Sequence, residues 1–326
     1  MFGVSLHVML FTVSFLMTLI IGPLLIPILR KLKFGQTVRD DGPESHLVKM
    51  GTPTIGGLIF LIPIVLISIY CAKADMKILP VAFVTIGFGI IGFIDDYIKV
   101  VKKRKDGLYW DQKMLGLLII STAFSFYVSG HGVGTDIIIP FLGVEYNIDL
   151  SWLFIPFSII VLLATTNSVN ITDGLDGLAS TVTLIIMIFF AIVAGTNYTL
   201  DYIRNFSSIV AGGCLGFLAF NSYPANVFMG DTGSLALGGA VGSIAIMLKM
   251  PLILIIIGVI YVVESISVIL QVAFFKIKGK RIFKMAPIHH HFELSGFKET
   301  TIVLIFSVIT VVFCIIGFFA LRLKII

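Results

Sequence analysis

Phe154–Gly195 reads FIPFSIIVLLATTNSVNITDGLDGLASTVTLIIMIFFAIVAG. Two apolar runs flank a short turn that carries Asp173 and Asp176 and no Lys or Arg. Spanning a hydrocarbon core takes about twenty apolar residues, and each run approaches that length. A bilayer offers no water to backbone polar groups, so each run is predicted to close its own hydrogen bonds as a helix. The pair is then a membrane hairpin with two acids at its mouth.

The same pattern extends over the chain. Of its 326 residues, 58% are hydrophobic and 13% charged, whereas a soluble domain is near half apolar and a quarter charged. Ten apolar runs centre near Leu16, Pro63, Ile86, Ile120, Ile159, Ile186, Gly213, Val241, Val263 and Val311. The alternation of a membrane barrel is absent. The expected fold is therefore an all-α integral membrane protein of ten transmembrane helices, forming one polytopic domain over residues 1–326. No charged residue precedes Arg30, so the first run reads as a helix that stays, not as a cleaved signal. Cys71, Cys214 and Cys314 all lie in apolar runs and form neither a disulfide framework nor a metal spacing. The net charge of +5 is what membrane-facing loops produce and requires no nucleic acid.

Basic residues set the orientation. Arg30, Lys31, Lys33, Arg39 and Lys49 fill the first loop; Lys99, Lys102, Lys103, Arg104, Lys105 and Lys113 the third; Lys276, Lys278, Lys280, Arg281, Lys284 and Lys298 the ninth. The other six, Lys73, Lys77, Arg204, Lys249, Arg322 and Lys324, are scattered over the even loops and the tail. The positive-inside rule then puts the odd loops in the cytoplasm and both termini outside. Asp95, Asp96, Asp173, Asp176, Asp231 and the run His289–His291 all fall on the cytoplasmic side, which is where the active site is expected. The ninth run, Met250–Phe275, is interrupted only by Glu264. At about 1.5 Å per residue it exceeds the core thickness, so it must tilt, bend or project, and a break is expected.

Five clusters carry the chemistry. In GFIDDYIKV, Gly92–Val100, Asp95 and Asp96 point about 100° apart on a helix, which suggests distinct roles. Lys99 lies one turn from Asp95. Acids at a helix C-terminus oppose the macrodipole, so something else must favour them, as a divalent cation would. In the opening turn, Asp173 and Asp176 share a helical face; Gly174 and Gly177 admit a close neighbour. Asn167 and Asn170 extend that polar stripe. In NVFMGDTGSLALGG, Asn226–Gly239, Asp231 stands at a glycine turn before a helix, where backbone N–H groups make an anion cradle. Acids beside a phosphate cradle point to Mg²⁺, held by Asp231, and to a phosphorylated substrate. Phe228 is placed to stack or to pack. The run His289-His290-His291 fans around a helix and suits phosphate or sugar contacts better than one metal ion. Lys49 and Thr54 flank a Gly-Thr-Pro turn that opens the second helix, another phosphate-friendly geometry.

Taken in order, DDYIKV, NITDGLDGLA, GDTGSLALGG and PIHHHFE resemble the phospho-N-acetylmuramoyl-pentapeptide transferase family, within the polyprenyl-phosphate N-acetylhexosamine-1-phosphate transferases. PIHHHFE points to the muramoyl-pentapeptide branch. One departure is Leu117, where family members commonly have Gln. The resemblance implies a Mg²⁺-dependent transfer from UDP-N-acetylmuramoyl-pentapeptide to undecaprenyl phosphate, giving lipid I and UMP, in the bacterial plasma membrane. It implies a ten-helix bundle, commonly a homodimer, with a bent ninth helix beside a lipid groove. It matches Asp231 to the Mg²⁺ ligand, Asp95 to the aspartate acting on the lipid phosphate, and Asp96 to its essential neighbour. Asn170 and Asp173 match active-site polar residues, Asp176 and Phe228 the uridine pocket, and Lys49, Thr54, Lys99, Lys113, His290 and His291 the cleft lining. Two rivals are a sister transferase using UDP-N-acetylglucosamine and a secondary transporter, for which Glu264 is the one mid-span acid.

Overall fold

The computed structural model describes residues 5–31, 51–102, 104, 107–131 and 133–322. Helices account for nearly all of its regular structure. They are α1 (Leu6–Lys31), α2 (Leu58–Ala72), α3 (Leu79–Val101), α4 (Trp110–Gly130), α5 (Phe154–Thr172), α6 (Leu178–Ala194), α7 (Asp201–Asn221), α8 (Gly230–Met247), α9 (Pro251–Ile257), α10 (Val259–Lys278), α11 (Ile288–Glu293) and α12 (Glu299–Leu321). All ten expected centres fall on or within these segments. Among the described residues, seven helices are long and apolar enough to cross a membrane; α2 and α6 are apolar but shorter.

Helix α8 is the axis. Every residue from Thr232 to Met247 is buried, and α3 and α5 lie along it. Its sequence, GDTGSLALGGAVGSIAIM, explains why. Small side chains let neighbouring backbones approach closely, which is how helices associate where lipid removes the hydrophobic drive. α1 and α6 pack on α7, and large apolar side chains elsewhere remain exposed, as on α10 from Val263 to Ile277. Those faces suit lipid.

The ninth run is broken. α9 ends at Ile257 and α10 begins at Val259, with Gly258 between them at φ −92° and ψ 24°. The excess length of that run predicts the break, and Pro251 at the start of α9 leaves only seven residues before it.

One departure from an all-helical reading is a two-stranded antiparallel ribbon, Asp136–Ile138 with Asn147–Asp149. It sits at the end of α8 opposite the acids. Ile138 N–H donates to Lys249 O at 2.8 Å, and Lys249 Nζ pairs with Asp136 Oδ1 at 2.6 Å.

Candidate active site

The sequence motifs converge where the C-terminal end of α3 meets the N-terminal end of α8. Gly92 makes this possible. A Cβ there would lie 2.0 Å from Asp231 O, so the two backbones touch at that level only because the side chain is missing. Four residues further along α3, Asp96 then faces the first turn of α8. It accepts from Asp231 N–H at 3.2 Å, Thr232 N–H at 2.9 Å and the Thr232 hydroxyl at 2.6 Å. A carboxylate at the wrong end of its own helix is thus stabilised as the N-terminal cap of another. That is the favourable partner the α3 sequence demands.

Asp95 points elsewhere, as adjacent helical positions must. It accepts from Leu108 N–H at 2.8 Å and pairs with Lys99 Nζ at 2.5 Å. Asp231 lies in the first turn of α8, not in the loop before it. Its Oδ2 receives Lys99 at 3.0 Å and Lys113 at 2.7 Å, and its Oδ1 receives Asn170 Nδ2 at 2.8 Å. Asn170 also donates to Ser234 Oγ at 2.8 Å. The two lysines, which the sequence assigns to a loop, sit in the last turn of α3 and the first turn of α4. Helical placement is what aims both at one carboxylate.

Asp95, Asp96 and Asp231 each offer an oxygen within 4.8 Å of the others. Hard carboxylate oxygens at that spacing suit Mg²⁺, which is satisfied by one or two carboxylates plus water and phosphate. Asp96 spends both oxygens on the first turn of α8, whereas Asp231 and Asp95 meet lysine ammonium groups whose charge a cation could replace, so these two are the better placed ligands. The donor set fits the ion.

The turn between α5 and α6 lies beside this cluster. The Asp173 N–H donates to Val169 O at 3.2 Å and Asn170 O at 3.3 Å, while its carboxyl makes no hydrogen bond or ion pair among the described residues. Burial, then the charges of Asp231, Asp96 and Asp176, hold its carboxyl well above the usual carboxylate range. Asp176 is buried and engaged. Its Oδ2 accepts from Ala225 N–H at 2.9 Å, and its own N–H donates to Glu299 Oε1 at 2.5 Å. Gly177 adopts φ +80° and donates to Asn221 Oδ1 at 3.1 Å. Asn221 in turn donates to Val227 O at 3.0 Å, which ties the acid turn to the α7–α8 loop. In that loop Phe228 is half-buried. Its N–H donates to Pro53 O and its carbonyl accepts from Gly56 N–H, both at 2.8 Å, so Thr54 and Phe228 are held side by side.

Other expectations fare differently. Lys49 lies outside the described residues. Asn167 bonds to Leu163 O at 2.7 Å and faces Met114, so it does not join the acids as the stripe predicts. His290 Nδ1 sits 2.7 Å from Glu293 Oε2, and His291 Nδ1 accepts from Lys284 N–H at 3.1 Å. His289 is fully buried, 3.0 Å from Glu264 Oε1. Thr232, Ser234, Asn221 and Glu299 escape a reading by motif; a buried polar residue at a loop edge is the signal that would have flagged Asn221 and Glu299.

Comparison with known proteins agrees with the motifs. The family model described as glycosyl transferase family 4 matches residues 78–249, which contain the whole acid cluster. A protein of Acetivibrio thermocellus named phospho-N-acetylmuramoyl-pentapeptide-transferase is 65% identical over 99% of this chain and 98% of its own length. Proteins of the same name from Clostridium novyi and Clostridium perfringens are 55% and 52% identical, over 95% and 96% of this chain and 95% and 98% of their own lengths. With that identity held over nearly the whole chain, the chain belongs to the phospho-N-acetylmuramoyl-pentapeptide-transferase family, within glycosyl transferase family 4.

Proposed function

We propose that this enzyme transfers phospho-N-acetylmuramoyl-pentapeptide from UDP-N-acetylmuramoyl-pentapeptide to undecaprenyl phosphate, giving lipid I and UMP. The observation that carries the reading is the meeting of Asp95, Asp96 and Asp231 with Lys99 and Lys113 at one helix end, in a chain so similar to enzymes of that name. We read the chain as one domain of ten crossings, α9 and α10 forming the ninth, with both termini outside and the acids at the cytoplasmic face of a bacterial plasma membrane. It acts as a homodimer. The basic loops and the clustering of Asp95, Asp96, Asp173, Asp176 and Asp231 at one end support that orientation.

The chemical difficulty is repulsion between an anionic lipid phosphate and an anionic pyrophosphate. Lys99 and Lys113 lie beside the reacting region and lower it. Asp231 and Asp95 would hold a Mg²⁺ ion, which when bound would supply further positive charge to the phosphates and to the leaving UMP. Asp96 holds Asp231 in register through α8. Asp95 orients the lipid phosphate and takes any residual proton, a light task because a phosphate monoester with a second pKa near about 6 is already mostly dianionic at pH 7. Direct displacement is therefore favoured over an aspartyl-phosphate intermediate. Asp176 and Phe228 receive the uridine; Thr54, Asn170, Asp173, His290 and His291 line the remainder, and the family resemblance assigns Lys49 to the same cleft.

The transport reading loses its support. Glu264, its single candidate, is paired with His289 next to the acid turn and does not face an aqueous path. The test is UMP release by the purified protein in detergent with Mg²⁺ and polyprenyl phosphate, with the two nucleotide sugars compared. Selective turnover of the muramoyl-pentapeptide donor is expected, and its loss in Asp231→Asn. Equal turnover of UDP-N-acetylglucosamine would move the assignment to the sister transferase.

A further inference from the structure

The Glu264–His289 pair has no place in the scheme above. Glu264 is on α10 and His289 on α11; both are essentially fully buried, with Oε1 and Nδ1 3.0 Å apart. The contact is a close approach of the two groups without hydrogen-bond alignment, and none of their four polar side-chain atoms has a hydrogen-bond partner among the described residues. A buried pair of this kind adds little to stability, since two well-packed apolar residues of the same volume avoid the cost of desolvating charge. It does fix a geometry.

What it fixes is visible on the far side of the imidazole. A Cβ on Gly174 would lie 2.2 Å from His289 Nε2 and 2.7 Å from its Cε1. Gly174 is therefore a glycine because the ring occupies the space of its side chain. Gly174 follows Asp173 directly and stands two residues before Asp176, so the ring is a spacer between α10 and the acid turn. On the opposite flank the turn is held by backbone bonds to Glu299 and Asn221.

We infer that Glu264 and His289 are positioning residues: Glu264 fixes the orientation of the imidazole, and the imidazole, seated on Gly174, sets where Asp173 and Asp176 stand for the nucleotide substrate. The inference rests on the transferase reading for its kinetic consequence. Groups that orient a ligating side chain change affinity or activity by about 10–100-fold when removed.

The experiment compares Glu264→Ala, Glu264→Gln, Gly174→Ala and the double variant Glu264→Ala/Gly174→Ala as full-length protein in detergent. Glu264→Ala is expected to raise KM for the nucleotide substrate about tenfold, with a smaller change in kcat. Glu264→Gln keeps an acceptor oxygen facing Nδ1 and is expected within about threefold of the parent. Both single changes act through one ring, so their effects on KM should fall short of adding in the double variant. Hydrogen exchange provides a readout that needs no substrate: the amides of Asp176, Gly177 and Leu178 should exchange faster in Glu264→Ala, and at the parent rate in Glu264→Gln. A purely structural pair would lower Tm and leave the KM of the folded fraction unchanged, and that result overturns the inference. So would full additivity, or an unaltered exchange rate in the acid turn. A parent protein that releases no UMP would instead overturn the transferase reading, and the exchange data would then decide the positioning role by themselves.

Discussion

Two glycines on the same face of α3 make opposite predictions. A Cβ on Gly89 would meet Leu61 Cδ1 at 3.0 Å and Ala236 Cβ at 3.3 Å, and a leucine methyl yields by a few tenths of an ångström. A Cβ on Gly92 would meet Asp231 O at 2.0 Å, Asp231 C at 2.4 Å and Thr232 N at 2.7 Å. All three are backbone atoms of the first turn of α8. Restoring ordinary contact, which begins near 3.4 Å, requires α3 and α8 to part there by about 1.4 Å.

The stability change should be near zero for Gly89→Ala and a net loss of up to about 2.5 kcal/mol for Gly92→Ala. Alanine gains about 0.5–1 kcal/mol over glycine inside a helix, while overpacking costs about 1–3 kcal/mol. Activity should separate them. A displacement of about 1 Å at a positioned group costs on the order of 10²-fold in rate, or about 2.7 kcal/mol of barrier. Asp231 holds Lys113 at 2.7 Å and Asn170 at 2.8 Å, and neither contact survives such a shift. UMP release per folded molecule, with Tm measured alongside, should fall about 100-fold in Gly92→Ala and less than about threefold in Gly89→Ala. If Gly92→Ala retains more than about a third of parental activity, or Gly89→Ala loses as much as Gly92→Ala, close approach at Gly92 does not set the site.

Three further outcomes follow from single contacts. Stripping divalent cations with EDTA should stop UMP release, Mg²⁺ should restore it, and Asp231→Asn should leave the restored rate lower by on the order of 10²–10³-fold. Asp173 is held above the usual carboxylate range first by burial and then by neighbouring carboxylates. Its favourable contribution therefore exists at low pH and is lost as pH rises through the raised value. Asp173→Asn should accordingly raise Tm at pH 7 without metal, and the gain should vanish below about pH 4, near the free carboxylate value. Asn221→Ala strands the Gly177 N–H and the Val227 carbonyl and should cost about 2–4 kcal/mol by thermal unfolding in detergent.

Much of this architecture can be read from the chain. Apolar runs long enough for a bilayer locate the helices, because that signal is local. The acids are legible as a group for the same reason. What eludes the sequence is which element each acid serves. Asp96 answers its own helix dipole with amides 135 residues away, a pairing that no spacing rule reaches. Lys99 and Lys113 look like loop charges because helices run a turn past the hydrocarbon. Asn167 keeps the spacing of Asn170 yet turns to its own helix and Met114, since three residues span less than a full turn. The ribbon at Asp136–Ile138 hides because two strands of three residues carry too little alternation to register. Gly174 is the instructive middle case: its sequence says that something must approach, and only the fold says that it is His289.

The charges around Asp231 then imply a coupling between the two ligands of the site. Lys99 and Lys113 are the ammonium groups that touch the acids among the described residues, and both substrates bring phosphate. An ammonium that turns to a phosphate leaves Asp231 short of positive charge in a poorly solvated pocket. A divalent cation then binds more tightly than it does to the lysine-paired carboxylate. By linkage, the cation must raise nucleotide affinity by the same factor. Couplings of this kind amount to about 1–3 kcal/mol, or 5–150-fold. Titrating Mg²⁺ against the purified protein with and without saturating UDP-N-acetylmuramoyl-pentapeptide, in the absence of acceptor lipid, measures it directly. Lys113→Met should weaken the coupling, since one of the two competing ammonium groups has already left Asp231. Equal Mg²⁺ affinity in the two titrations would mean that the lysines stay on Asp231 throughout, and that the phosphates are met by other cations of the basic loops.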